Sequence, residues 1–173
     1  NSYLLTDSYA TGTVTGGYTV GGLVGMNYGY THRCYSTGPV TGTASPIGGM
    51  IGYNWGGVVD NLRWDTQTSG RSAMCGAEGY DGYGCDNAGG KTTVLMKLYA
   101  TFADAGWDLL GESANGDNEF WRMCVDGVAY PRLSWEFAQN GDFACGDGVE
   151  MADLAALAQQ WLTTAEQPPD TFN

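Results

Sequence analysis

"VGGLVGMNYGY" runs from Val20 to Tyr30, and 27 residues later the chain writes "IGGMIGYNWGG" from Ile47 to Gly57. A fixed period of roughly 20 to 50 residues signals a stacked architecture in which each unit buries its apolar face against its neighbours. The match extends outward from these phrases. "SYATGTVTG" at Ser8–Gly16 returns as "CYSTGPVTG" at Cys34–Gly42, and a decayed third copy, "LRWDTQTSG", occupies Leu62–Gly70. Apolar residues within each copy alternate or pair, with Gly, Thr, Ser and Asn between them, and short β-branched runs bounded by turn residues read as strands. No span before Lys91 carries a helical stripe. Glycines before and after each Leu-Val or Met-Ile pair predict a strand entered and left by sharp turns. Each repeat is therefore one coil of a parallel β-solenoid, and the chain is mainly β.

The alignment places Ser8, Cys34 and Leu62 at one position, an inward site that accepts small or apolar side chains, so Cys34 reads as a core residue. Tyr28 and Trp55 share a second position, and Tyr9 and Tyr35 a third. These four are candidates for glycan or subunit contact if they point outward; stacking on each other along the wall is the favoured use.

The repeated phrases resemble the GLUG motif, a short repeat of large secreted and surface-attached bacterial proteins; "GGLVG" and "GGMIG" carry the resemblance, which covers roughly residues 1–70. It implies a β-helical stalk with a scaffolding or adhesive role and supplies no catalytic residues. Asn1 aligns with Asn27 and Asn54, so the chain opens inside a coil, as expected of a processed or partial product of a longer array. An open solenoid edge needs a cover, either upstream repeats of the same protein or another subunit. Head-to-tail covering by copies of one chain generates a filament when the rotation does not close.

Charge divides the sequence. Residues 1–70 carry Asp7, Asp60 and Asp65 against Arg33 and Arg63; the rest holds sixteen acids against five bases, and the whole chain has a net charge of −12. Such a balance argues against nucleic acid and anionic membrane surfaces, and no run is long enough to span a bilayer. Five cysteines leave one unpaired. Cys75 and Cys85 bracket a Gly- and Tyr-rich loop, and Cys124 and Cys145 flank a hairpin and the segment after it, so the proposed bridges are Cys75–Cys85 and Cys124–Cys145, with Cys34 free. Disulfides imply an extracellular or cell-surface location.

After Gly70 the composition shifts. Thr92 or Thr93 caps short helical turns that end at Gly106, and "EFWRMCVDGVAYPRLSW" reads as two strands about the turn at Asp126 and Gly127. Trp107, Phe120, Trp121, Tyr130 and Trp135 are its expected core. Residues 71–138 are thus a small disulfide-stapled α+β cap on the carboxy-terminal end of the solenoid. Residues 139–173 hold "GDFACGDGVEMADLAALAQQWL", in which Asp142 and Asp153 stand eleven apart, positions 1 and 12 of a calcium loop entering a helix striped by Leu154, Leu157, Trp161 and Leu162. The segment resembles one half of a dockerin. Ala144 and Gly146 occupy two ligand positions and Asp147 falls one place late, so Ca²⁺ at Asp142, Asp147 and Asp153 stands level with a simple helix-dipole role for the acids.

Enzymatic sites on β-helices need clustered carboxylates or a base on the coil face. The repeats hold three Asp, no Glu, no Lys and one histidine, His32, which aligns with Thr6 at a coil corner. The expectation is a non-catalytic extracellular structural protein, a fibre or filament subunit; the alternative is the carboxy-terminal part of a secreted adhesin or polysaccharide-binding protein.

Overall fold

The structure is a computed structural model and describes residues 3–114, 118–140 and 151–164. The first coil consists of β1 (Leu4–Ala10), β2 (Val14–Gly16), β3 (Val20–Gly21) and β4 (Val24–Asn27). The second repeats it as β5 (Tyr30–Ser36), β6 (Val40–Gly42), β7 (Ile47–Gly48) and β8 (Ile51–Asn54). The third comprises β9 (Val58–Asp60), β10 (Arg63–Asp65), the helical turn α1 (Thr66–Ser69) and β11 (Cys75–Glu78). Pairing between coils is parallel throughout, β1 on β5, β2 on β6, β3 on β7 and β4 on β8, which is the expected solenoid of about three turns.

The repeat alignment is the strand register. Ser8 pairs with Cys34, Thr6 with His32, Tyr9 with Tyr35, and Asn27 with Asn54. The glycine brackets follow from close backbone approach. A Cβ on Gly21 would lie 2.2 Å from the Val24 carbonyl oxygen and 2.5 Å from Gly52 N; at the paired Gly48 the distances are 2.1 Å to Ile51 O and 2.5 Å to Gly76 N. The strand turns over itself and against the next coil at once, and only a residue without a side chain fits.

Inside the coils Val24, Cys34, Met50, Ile51, Val59, Leu62, Trp64 and Met74 form one apolar core. A polar ladder runs beside it. Buried Asn27 donates from Nδ2 to Asn54 Oδ1 at 3.0 Å and accepts from Gly29 N and Thr31 Oγ1, while Asn54 Nδ2 donates to Gly57 O. These bonds satisfy amides that burial would otherwise penalise.

The third coil departs from the first two. Where β2 and β6 stand, Asp65 Oδ1 accepts from Gln67 N and Thr68 N and starts α1, which stops at left-handed Gly70. An aspartate offering its carboxylate to two free N–H groups favours a helical turn over a strand. The stacking also continues past residue 70, the boundary expected from composition. β11 pairs on β8, Tyr83 bridges Val58, and β12 (Gly90–Lys91) pairs on β10. In "CGAE" Gly76 repeats the close backbone approach, its would-be Cβ 2.2 Å from Ile47 N, and Cys75 and Ala77 are small, while Glu78 is exposed.

The following segment lies on the side wall of the solenoid, not on its end. It contains a 3-10 turn at Leu95–Lys97, α2 (Tyr99–Ala103), β13 (Trp121–Arg122) paired antiparallel with β14 (Arg132–Leu133), and α3 (Ser134–Asn140). Its core of Met96, Phe102, Trp107, Leu109 and Trp121 closes over Tyr35 of the second coil. The attachment spans all three coils: Tyr9 OH donates to Glu136, Tyr35 OH to Pro131 O, and Tyr130 OH to Asp65. Of the aromatics expected in this core, Trp107 and Trp121 are buried, whereas Phe120 and Trp135 are exposed, Phe120 against Arg33 as a cation–π partner at 5.6 Å. α4 (Met151–Thr164) confirms the terminal helix; its Leu154 and Trp161 are exposed and Leu157 half-buried.

Candidate functional site

Among the described residues, every strand of the first coil is paired on one side only: β1, β2, β3 and β4 each pair with the second coil. Leu5 and Leu23, which pack on the inner core, are only half-buried there, and Leu4 is 64% exposed. Among the described residues β11 is likewise terminal in its sheet, at the opposite end of the stack. Free N–H and C=O groups beside uncovered apolar side chains are what an added strand pairs with and covers.

The two aromatic rows proposed from the repeat have different fates. Tyr9 and Tyr35 stack with ring centroids 5.1 Å apart and planes 5° from parallel, but Tyr35 is 1% exposed and Trp107, Trp121 and Phe102 surround it. This pair serves the chain's own side wall and is not open to a glycan or another subunit; burial pushes the Tyr35 hydroxyl's pKa up. Tyr28 and Trp55 are 50% and 48% exposed on the outer surface. Tyr53 stacks on Trp55 at 5.5 Å, and Tyr28 OH donates to the Met26 sulfur.

Repeat alignment missed the contact that fixes the side wall. Asp7, Arg33 and Asn61, at equivalent places in the three coils, all have left-handed backbone with φ of 47°, 47° and 53°. Arg33 donates to both Asp7 oxygens at 2.9 Å. Trp121 Nε1 donates to Asp7 Oδ1, and Trp107 Nε1 to Asn61 O, each at 3.0 Å. Burial alone would raise the Asp7 pKa, but hydrogen bonds from Arg33, Thr6 and Trp121 together with the Arg33 charge outweigh it and hold the carboxyl below its ordinary value. The available signal was the Asp-Arg-Asn series one residue after the aligned Thr6, His32 and Asp60. His32 stands beside this corner, Nδ1 3.2 Å from Asp60 Oδ2 and stacked on Tyr30.

Cys75 and Cys85 are bridged and Cys34 is free and buried, burial pushing its thiol up to about 12. Cys124 is also disulfide-bonded; Cys145, its proposed partner, lies outside the described residues. The bridges place the chain in an oxidising, non-cytoplasmic compartment. Of the candidate calcium ligands, Asp153 is buried in the first turn of α4, and Asp142 and Asp147 lie outside the described residues. Among the described residues no three His, Cys, Asp or Glu side chains group as metal ligands, and no helix is long and apolar enough to cross a membrane.

No protein-family profile matches the chain, and no solved structure resembles it. Over an alignment 113 positions long, covering 59% of the chain, the sequence is 36% identical to a protein of Evansella cellulosilytica described as "Putative Gly-rich membrane protein". The chain spans only 12% of that relative's length.

Proposed function

We propose that the chain is an extracellular structural module that assembles head to tail, the free edge of one copy's first coil receiving the last coil of another. The carrying observation is the one-sided pairing of β1, β2, β3 and β4. Because all inter-coil pairing is parallel, the two ends of the solenoid have matching strand direction, and a copy added end to end continues the same ladder. The GLUG-like phrases agree with a stalk or fibre. Catalysis is not part of this reading, and Ca²⁺ at Asp142, Asp147 and Asp153 would belong to the terminal segment. Only Asp153 can be tested for fit, and its burial in the first helical turn suits a ligand or a dipole partner equally.

Sedimentation velocity across a concentration series tests the assembly. The wild type should form species heavier than 18.4 kDa that grow with concentration, and Leu4→Lys, which puts a charge on the exposed edge strand, should remain monomeric. Equal behaviour of the two proteins as monomers would overturn the proposal.

A second reading is favoured by the relative's length. In a protein of which the matched stretch is only 12%, adjacent coils of the same polypeptide would cover the edge, and the module would be part of a surface adhesin.

A further inference from the structure

The Asn27–Asn54 amide column continues into the third coil with a different residue. In the register that pairs β4 with β8 and β8 with β11, Asn27, Asn54 and Glu78 stand one above another. The packing repeats with them. A Cβ on Gly57 would lie 2.8 Å from Asn27 Cγ and 2.6 Å from Asn54 Oδ1; one on Gly82 would lie 2.9 Å from Glu78 Cγ and 3.2 Å from Asn54 Nδ2. Glu78 therefore occupies the amide column at the end of the stack, on a strand whose outer side is unpaired among the described residues. It is exposed there, and among the described residues its carboxylate makes no hydrogen bond or ion pair.

The column has a polarity. Asn27 Oδ1 accepts from Gly29 N, which can only donate, so Asn27 turns its Nδ2 to Asn54 Oδ1 of the following coil. A member of the column that has a coil beyond it thus gives a hydrogen forward, and an ionised Glu78 has none to give. If β11 of one copy were covered by β4 of another, in the register β4 and β8 use with each other, Glu78 would face the second copy's Asn27. β4 brings no charge to it. On its own side Asp81 follows in the same turn, Tyr83 and Asp86 share with it an open cavity of about 360 Å³, and no Lys or Arg lines that cavity. A carboxylate covered there is a buried charge without a counter-ion, whereas the neutral acid keeps a hydrogen and fills the amide's place.

We propose that Glu78 makes the joining of one copy to the next respond to pH: the ionised carboxylate weakens the contact between the β11 edge and the next copy's first coil, and its protonation strengthens it. This rests on the head-to-tail reading given above. Because the joined state takes up a proton that the separate copies lack, association tightens as pH falls, by up to about tenfold per pH unit for one group. A charged side chain on an edge strand is a common means of keeping that edge from pairing indiscriminately.

The test is sedimentation velocity of the full chain at about pH 7.5 and about pH 5.5, where the wild type should associate at least about tenfold more tightly at the lower value. Glu78→Gln, which carries an amide hydrogen at both pH values, should associate at the higher pH at least as tightly as the wild type does at the lower, and should lose most of the pH dependence with an unchanged thermal melt. Asp104→Asn, which removes an exposed charge of the same sign just after α2, should behave as the wild type. Leu4→Lys should remain monomeric at both pH values. Wild-type association of equal strength at the two pH values, or association weakened by Glu78→Gln, would overturn the proposal and leave head-to-tail joining standing. An equal gain from Asp104→Asn would reduce the effect to net charge, and acid-driven association of Leu4→Lys would reduce it to general aggregation; either overturns the proposal. Monomers throughout, Glu78→Gln included, would overturn the head-to-tail reading and this inference with it.

Discussion

Trp121 and Asp7 are 114 residues apart in the chain and joined by a 3.0 Å hydrogen bond from the indole Nε1 to the carboxylate. The same carboxylate holds the Arg33 fork, so one acid joins two coils and the side-wall segment. Trp121→Phe keeps the ring and removes the donor; it should cost about 1–2 kcal/mol by chemical denaturation.

Acid should weaken this contact. The folded-state pKa of Asp7 is lower than its ordinary 3.8, so on acidification the unfolded chain takes up the proton first. The stabilisation from Asp7 is complete above about pH 5 and is lost as pH falls through the lowered folded value. Melting temperature measured from pH 6 to 2.5 should fall more steeply below pH 4 in the wild type than in Asp7→Asn. Parallel curves would show that Asp7 titrates normally.

The buried Asn27–Asn54 amide pair should show strong coupling. Either Asn→Ala change leaves a buried partner without its bond and should cost about 1–3 kcal/mol. The double variant should be less destabilised than the two single losses added, as a double-mutant cycle by urea titration would show.

Gly48→Ala should be among the most damaging single substitutions. The new Cβ meets the Ile51 carbonyl and Gly76 N, which are backbone atoms of the same and the next coil and cannot rotate away. A loss of about 3 kcal/mol, or failure to fold, is expected. Gly12→Ala, with open space at its Cβ, should be nearly neutral in the same assay.

Cysteine accessibility follows from burial. Iodoacetamide at pH 8 should leave the native protein unmodified, since the Cys34 thiol is buried and pushed up to about 12. In denaturant without reductant, mass spectrometry should find one alkyl group, at Cys34. Labelling at Cys75 or Cys85 would contradict the bridge.

The coil register was legible because a solenoid stacks sequence repeats directly: aligning Ser8 with Cys34 and Leu62, or Tyr28 with Trp55, already sets neighbour on neighbour. Glycine spacing was legible for the same reason. The burial of Tyr35 was not, because its cover arrives from Phe102, Trp107 and Trp121, and such distant pairing leaves no local pattern. The α1 turn escaped because its repeat template is a strand, whereas here Asp65 caps a helical turn and the template's glycine and valine, Gly38 and Val40, are replaced by Thr66 and Thr68. α3 escaped because "RLSWEF" continues a hairpin pattern, while Ser134 begins a helix. Of the candidate surfaces, the sequence located the edge and the exposed rows but not which aromatic pair faces outward.

Negative-stain electron microscopy of the native protein tests head-to-tail assembly most directly. The account predicts filaments one solenoid wide that are absent from Leu4→Lys, and their loss on adding a chelator would assign Ca²⁺ to the contact. Monodisperse single particles at every concentration, with the amides of β1 protected from hydrogen exchange, would contradict it.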